Sequence, residues 1–409
     1  MLRRWAIAVL LCSACSGLCL HALANTTAAG GAGASPVVAP TPAAAQMAQN
    51  DLALPPADAF AADAAPISPH TRIALLLPLH SGTLAEAAAV VRAGFMAAYE
   101  HEQFGIEVNV VETGDTPQEV LSGYAAAVAQ ADIVVGPMSR SGVAAVAQSN
   151  AVDKPTVALT PPDSPDGAEI AVPRQMLVMG LSIEDEARQV ASWAGAGHKW
   201  RKAYVLHTPA AWQRRAARAF ETQWLQLGLE PELLELAAND GFLNGRALLQ
   251  LKKQIQGEPS PLVFAALDAR QARQVRAVLG GDTALYGTSQ MNPFLPADAN
   301  EAERSPDMDG ARLLDIPWLL QPDHPAVMVY PRLVVQADQT HSADMERLYA
   351  LGIDAYRIAH EIASGSGEFR LDGVTGKLKV RFDGSKTQFE RSEQSAIYRN
   401  GRVVPEGGS

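Results

Sequence analysis

Beyond residue 19 the chain has no cysteine: Cys12, Cys15 and Cys19 all stand near its start. This excludes a disulfide framework and a thiolate metal site from everything downstream, and it is compatible with an oxidising compartment. Basic residues are also scarce. Lys and Arg number 33 against 44 Asp and Glu, leaving a net charge of -11. No basic stripe is available to neutralise phosphates, which argues against nucleic acid as a partner. Catalytic motifs are missing too. The nearest approach to a G-x-S-x-G elbow is GPMSRSG at 136–142, with the wrong spacing. The nine histidines are scattered and none forms H-E-x-x-H. His80 beside Ser81 reads as loop, and His198 and His207 lie too far apart for a helical metal site. Asp307-Met308-Asp309-Gly310 offers two acids without the rest of a calcium loop. No internal repeat of solenoid length occurs. The sequence therefore predicts no catalytic residue, no metal site and no cofactor.

What is present begins with an export signal. Arg3 and Arg4 precede an apolar stretch, Trp5 to Leu20, that is short for a membrane span. Ala22-Leu23-Ala24 fits the small-x-small cleavage pattern, which makes 1–24 a signal peptide and Asn25 the mature start. Acylation at Cys15 or Cys19 competes, although Cys12-Ser13-Ala14-Cys15 lacks the leading Leu of a lipobox. The other site, Ser16-Gly17-Leu18-Cys19, has a bulky Leu before the Cys. Residues 25–70 are rich in Ala, Gly, Pro, Ser and Thr and cannot bury enough surface to offset chain entropy. They read as a disordered tether with an r.m.s. span of about 35–40 Å. Gly30-Gly31-Ala32-Gly33 inside it has no preceding strand, so it reads as linker rather than phosphate loop.

From Thr71 the pattern becomes strand and helix in alternation. Ile73 to Leu77 is an unbroken apolar run, the signature of a strand buried on both faces of a parallel sheet. Pro78 ends it, Ser81 and Gly82 supply a polar turn, and an amphipathic helix runs from Leu84 to Tyr99. Further strands are predicted at 106–111, 133–135 and 156–159, with helices at 117–129 and 141–149. A second series is predicted from Met176, with strands at 177–180, 203–207, 233–237, 262–266 and 284–287. Its helices run from after Ser182 to about Gly195 and over 212–227, 248–255 and 269–279. The segment 310–318 reads as a strand leaving this series. One strong amphipathic helix covers 344–362, and turn-rich hairpins follow to the C-terminus. Two α/β lobes result.

In open α/β sheets ligands sit beyond the carboxyl ends of the strands. The loops there carry Ser81, Gly82, Ser139, Thr160 and Ser289, whose hydroxyls and N–H groups suit a carboxylate or other small polar ligand in a cleft between lobes. The same residues are ordinary turn formers. Pro161-Pro162 removes donors from one of these loops.

Several stretches resemble the LppC/LpoA family of penicillin-binding protein activators. They are RIALLLPL at 72–79, AGFMAAY at 93–99, VGPM at 135–138, GLSIEDEA at 180–187 and YGTS at 286–289. DGAR at 309–312 running into IPWLL at 316–320, LYALGIDAYR at 348–357 and LDGVTG at 371–376 complete the set. Together they span 71 to 401. The resemblance implies a two-lobed fold like that of type I periplasmic binding proteins, each lobe a mainly parallel sheet flanked by helices. It places lobe 1 at about 71–175 and 318–365, lobe 2 at about 176–317 and C-terminal hairpins at about 371–405. It further implies a non-enzymatic periplasmic lipoprotein that stimulates a class A penicillin-binding protein from the outer membrane and so regulates peptidoglycan synthesis. Longer family members carry a helical-repeat domain before the α/β domain, where this chain has a tether. The alternative function is a solute receptor serving an amino-acid-type ABC transporter. A hydrolase finds no constellation of residues to support it.

Overall fold

The computed structural model describes residues 70–103, 105–163, 170–196, 200, 202–258, 261–293, 304–334, 342–384 and 387–407. The signal peptide, the tether, Cys15, Cys19 and His198 lie outside them.

The first sheet has the order β2-β1-β3-β4-β5 and is parallel throughout. Its strands are β1 (Thr71–Leu77), β2 (Ile106–Glu112), β3 (Ile133–Val135), β4 (Thr156–Ala158) and β5 (Met176–Val178). Helices α1 (Ala85–His101), α2 (Pro117–Gln130) and α3 (Arg140–Gln148) connect them. Ile73 to Leu77 are all buried, as an apolar run without alternation requires. Helix α2 starts at a capping box: Thr116 accepts from the Glu119 N–H at 3.3 Å, while the Glu119 carboxylate accepts from the Thr116 N–H at 3.3 Å.

The second sheet has the order β17-β16-β12-β11-β10-β6-β7. Its parallel part comprises β6 (Lys202–His207), β7 (Glu230–Glu235), β10 (Leu262–Ala265), β11 (Ala284–Gly287) and β12 (Arg312–Asp315). A small hairpin, β8 (Ala238–Asn239) and β9 (Phe242–Leu243), projects beyond β7. Helices α4 (Ile183–Gly195), α5 (Ala211–Gln226), α6 (Gly245–Ile255) and α7 (Ala269–Leu279) flank this sheet. Ser182 caps α4 by accepting from the Asp185 N–H at 3.1 Å, and three acids fill the first turn.

After β12 the chain returns to the first lobe through short helices α8 (Pro317–Leu320) and α9 (Pro325–Met328) and the long α10 (Ala343–Ala363). Helix α10 lies on α1 in the first core, as its apolar stripe predicts. Two glycines set that packing distance. A Cβ on Gly94 would collide with the Tyr349 carbonyl, and one on Gly352 with the Val91 carbonyl. A three-stranded antiparallel sheet follows, β13 (Glu368–Gly373), β14 (Gly376–Phe382) and β15 (Thr387–Ser392), packed on the same core. The last hairpin, β16 (Gln394–Arg399) and β17 (Arg402–Pro405), crosses back and joins β12 antiparallel.

Three details differ from the sequence expectation. Met176–Val178 ends the first sheet instead of opening the second series, because Leu177 and Met179 fill the first core beside Val157 and Leu159. The strand expected at 310–318 is shorter, stays inside the second sheet, and yields to α8 at Pro317. The C-terminal hairpins do not form one unit, since β13–β15 cover the first lobe while β16 and β17 extend the second sheet.

Candidate functional site at the junction of the lobes

The chain passes between lobes three times, near residues 179–182, 315–316 and 392–394. A buried polar cluster occupies this crossing. At its centre Arg347 of α10 meets Asp315 at the end of β12. Arg347 Nε donates to Asp315 Oδ1 at 3.0 Å and Nη2 to Oδ2 at 2.8 Å. Nη2 also reaches the Ser289 carbonyl at 2.9 Å, and Nη1 reaches Asp344 at 2.8 Å. Asn292 Nδ2 and the Ile316 N–H each donate to Asp315 at 2.8 Å. Glu186, one turn into α4, accepts from the Ser289 N–H at 2.9 Å.

The third crossing is tied in by Arg391 of β15. Its guanidinium donates to the carbonyls of Gly180 and Met179, each at 2.8 Å, and to Thr375 Oγ1 at 3.1 Å. The Glu393 N–H donates to Gln189 of α4 at 3.1 Å, while Glu393 Oε2 is buried without a partner among the described residues. A second, more exposed bridge crosses the cleft. Arg215 of α5 donates to Glu184 at 2.6 Å, and Arg140 of α3 stands 4.0 Å from the same carboxylate.

Burial controls the charges here. It pushes the Glu186 carboxyl up to about 7, against the opposing pull of the Ser289 N–H and of Arg347. It also raises Glu393 well above the usual carboxylate range, helped by the nearby charge of Glu186. Arg391 is lowered by burial. Burial lowers Arg347 as well, but the charge and hydrogen bonds of Asp315 outweigh it and hold the guanidinium above its ordinary value. Among the described residues, Glu186, Asp315, Arg347 and Arg391 each have partners from other parts of the chain, an arrangement suited to fixing the lobes at their crossing.

The five residues expected in the cleft are spread over two settings. Ser81 sits after β1, buried, with its hydroxyl donating to Asp115 and accepting from the Leu84 N–H at 2.9 Å. Gly82 beside it is exposed. Ser139 follows β3 and caps α3 through the Gly142 N–H at 3.2 Å. Thr160 is half-buried after β4. Ser289 instead belongs to the junction, where both its N–H and its carbonyl are used by Glu186 and Arg347. Among the described residues no hydrogen bond joins Ser289 to the other four. The junction residues Glu186, Asp315, Arg347, Arg391 and Glu393 escaped the sequence reading. One signal was available: Asp315 is a lone acid inside the apolar run LLDIPWLL, a pattern that asks for a buried partner.

Among the described residues no group of His, Cys, Asp and Glu could hold a metal ion. No helix among them is long and apolar enough to cross a membrane.

Comparison with known proteins places these features in a family. The family model described as "LppC putative lipoprotein" matches residues 53–401. The penicillin-binding protein activator LpoA of Vibrio cholerae is 27% identical over 350 residues, covering 76% of this chain and 54% of that protein. The chain thus spans about half the length of the curated relatives it matches, which are named as activators rather than enzymes. Two solved structures share the fold. A Chromobacterium violaceum protein, described as a "putative branched-chain amino acid ABC transporter", has a TM-score of 0.63 and 35% identity over 80% of this chain and 100% of its own. The C-domain of Haemophilus influenzae LpoA, described as "a regulator of PBP1A", has a TM-score of 0.63 and 21% identity over 82% of this chain and 100% of its own. With its family model matched across both lobes, this chain belongs to the LppC family.

Proposed function

We propose that this protein is a non-enzymatic activator of a class A penicillin-binding protein, regulating peptidoglycan synthesis from the periplasm. The observation that carries the reading is the LppC match across 53–401, which takes in both lobes and all three crossings. The junction supports it. A buried ion pair and the Arg391 hydrogen bonds tie the crossings together, which suits a body that presents a surface to a partner. An activator need only bind the active conformation of its enzyme better than the inactive one, and a tenfold preference is about 1.4 kcal/mol. The family's description as a lipoprotein keeps acylation at Cys15 or Cys19 as the competitor to cleavage before Asn25.

The test is a cross-linking assay with purified synthase and lipid-linked precursor, with and without this protein. A higher rate is expected, and it should survive deletion of residues 25–70, which serve reach alone. An unchanged rate with no complex at micromolar concentrations, for every class A synthase of the source organism, overturns the reading.

A second reading, a solute receptor of an amino-acid ABC transporter, rests on the 35% identity to the Chromobacterium violaceum structure. The cleft loops Ser81, Gly82, Ser139 and Thr160 would then face a small polar ligand. Calorimetry against an amino-acid panel separates the two. A micromolar dissociation constant, about -8 kcal/mol, supports the receptor, and no heat supports the activator.

A further inference from the structure

Beside the junction, and sharing Asn292, Asp344 and Arg347 with it, a groove of about 930 Å³ runs between α7 of the second lobe and the start of α10. The β8–β9 hairpin forms one rim. Its two-residue turn, Asp240-Gly241, has φ of 50° and 78°, as a type I′ turn requires. This turn presents Phe242 with 57% of its surface exposed. The hairpin is held in place from α7, where Gln274 accepts from the Leu243 N–H at 2.9 Å. Arg270 of α7 lies over the Phe242 ring, 5.5 Å from its centre.

The charges along this groove are nearly all spoken for. Arg273 forms a two-point bridge to Asp307, at 3.0 and 3.1 Å. Asp344 accepts from Arg347 at 2.8 Å and from Gln290 at 3.2 Å. Arg270 alone among the groove's charged side chains has no ion-pair or hydrogen-bond partner for its guanidinium among the described residues. It is exposed, and its guanidinium lies over the Phe242 ring, a contact that favours the position beside the groove. An uncommitted guanidinium recognises a carboxylate by paired hydrogen bonds. Phe242 beside it offers an apolar platform, and Gln290 supplies an amide that can pair with a peptide backbone.

We propose that this groove docks an extended peptide segment carrying a carboxylate next to an apolar side chain. The unpaired positive charge favours such a segment over a neutral glycan, which would leave Arg270 unanswered. Under the activator reading, on which this assignment rests, the segment belongs to the synthase.

The test has two arms. In the first, the full chain is titrated with a fluorescently labelled short peptide of alternating Asp and Leu, followed by anisotropy. Saturable binding is expected, weakened about tenfold by R270E and by replacing Asp with Asn in the peptide. F242A should weaken it about fivefold, within the range of a lost cation–π and apolar contact. Thermal unfolding of both variants serves as the folding control, since both side chains are exposed. Absence of binding at about 1 mM peptide, or binding that both variants leave unchanged, overturns the proposal. Saturable binding of N-acetylglucosamine tetramer that F242A removes and R270E spares also overturns it, assigning the groove to glycan. In the second arm, R270E enters the synthase assay. Loss of stimulation supports the assignment to the synthase, and full stimulation removes it. If the wild-type protein itself fails to stimulate, the activator reading falls while the peptide titration still decides the groove.

Discussion

Arg347 holds both carboxylate oxygens of Asp315 with two parallel hydrogen bonds, and the two side chains are 6% and 0% exposed. One residue lies on the long helix packed in the first core, the other at the end of a strand in the second sheet. Removing one partner leaves the other charged and buried, a loss of about 3–5 kcal/mol. R347M should therefore destabilise the protein by that amount in urea unfolding. Pairing it with D315L should recover much of the loss, because two apolar side chains leave no orphaned charge. A double variant no better than R347M would show that the other partners of Asp315, Asn292 and the Ile316 N–H, dominate.

The junction also sets a pH dependence. Glu186 is raised from an ordinary 4.5 to about 7, so the folded protein keeps it protonated where the unfolded chain ionises it. Stability from this group is complete below about pH 4.5 and falls as pH rises to about 7, by on the order of 3 kcal/mol. Glu393 moves in the same direction. The charged groups facing the pair are Asp315, Arg347 and Arg391. Asp132, lowered by its bond to Arg72, titrates below this window. Chemical denaturation across pH 4.5–7.5 should show the decline, and E186Q should flatten it. A wild-type profile as flat as that of E186Q would contradict the assignment.

Helices α1 and α10 touch backbone to backbone at Gly94 and Gly352. G94A or G352A must push the helices apart and should cost about 1–3 kcal/mol through overpacking. The combination should cost less than the sum, since one displacement relieves both clashes. Thermal unfolding of the three variants is the measurement.

The N-terminus makes a separate prediction. If Ala22-Leu23-Ala24 is the processing site, the mature protein is expected to start at Asn25 without a lipid. Intact mass of the native protein checks it. A triacylated species beginning at Cys15 or Cys19 would replace this start with the anchored one that the family's description suggests.

Local signals made much of the fold legible. The run Ile73–Leu77 could only be a strand covered on both faces, and the stripe on α10 sent that helix to a core. What was hidden depended on partners distant in sequence. Met176–Val178 is three apolar residues, and nothing within it chooses between two sheets; its pairing with β4 does. The β16–β17 hairpin was readable as a hairpin, but not its seat against β12, some 80 residues earlier in the chain. Arg347 was lost because periodicity assigns a helix's polar positions to solvent, while α10 is covered on almost every side. Ser289 was expected to offer its hydroxyl and N–H to a ligand carboxylate, and the carboxylate it meets is that of Glu186 within the chain.

The return of β16 to the second sheet has a consequence for the order in which the molecule can be completed. A chain growing from its N-terminus has laid down β12 by residue 315, yet that strand keeps one open edge until residues 394–399 arrive. The first lobe waits too, for α10 at 343–363 and the strands after it. Neither lobe can close on its own portion of the nascent chain. Maturation of both is deferred to the final stage of synthesis, and a chain broken off before residue 394 leaves the second lobe open along β12.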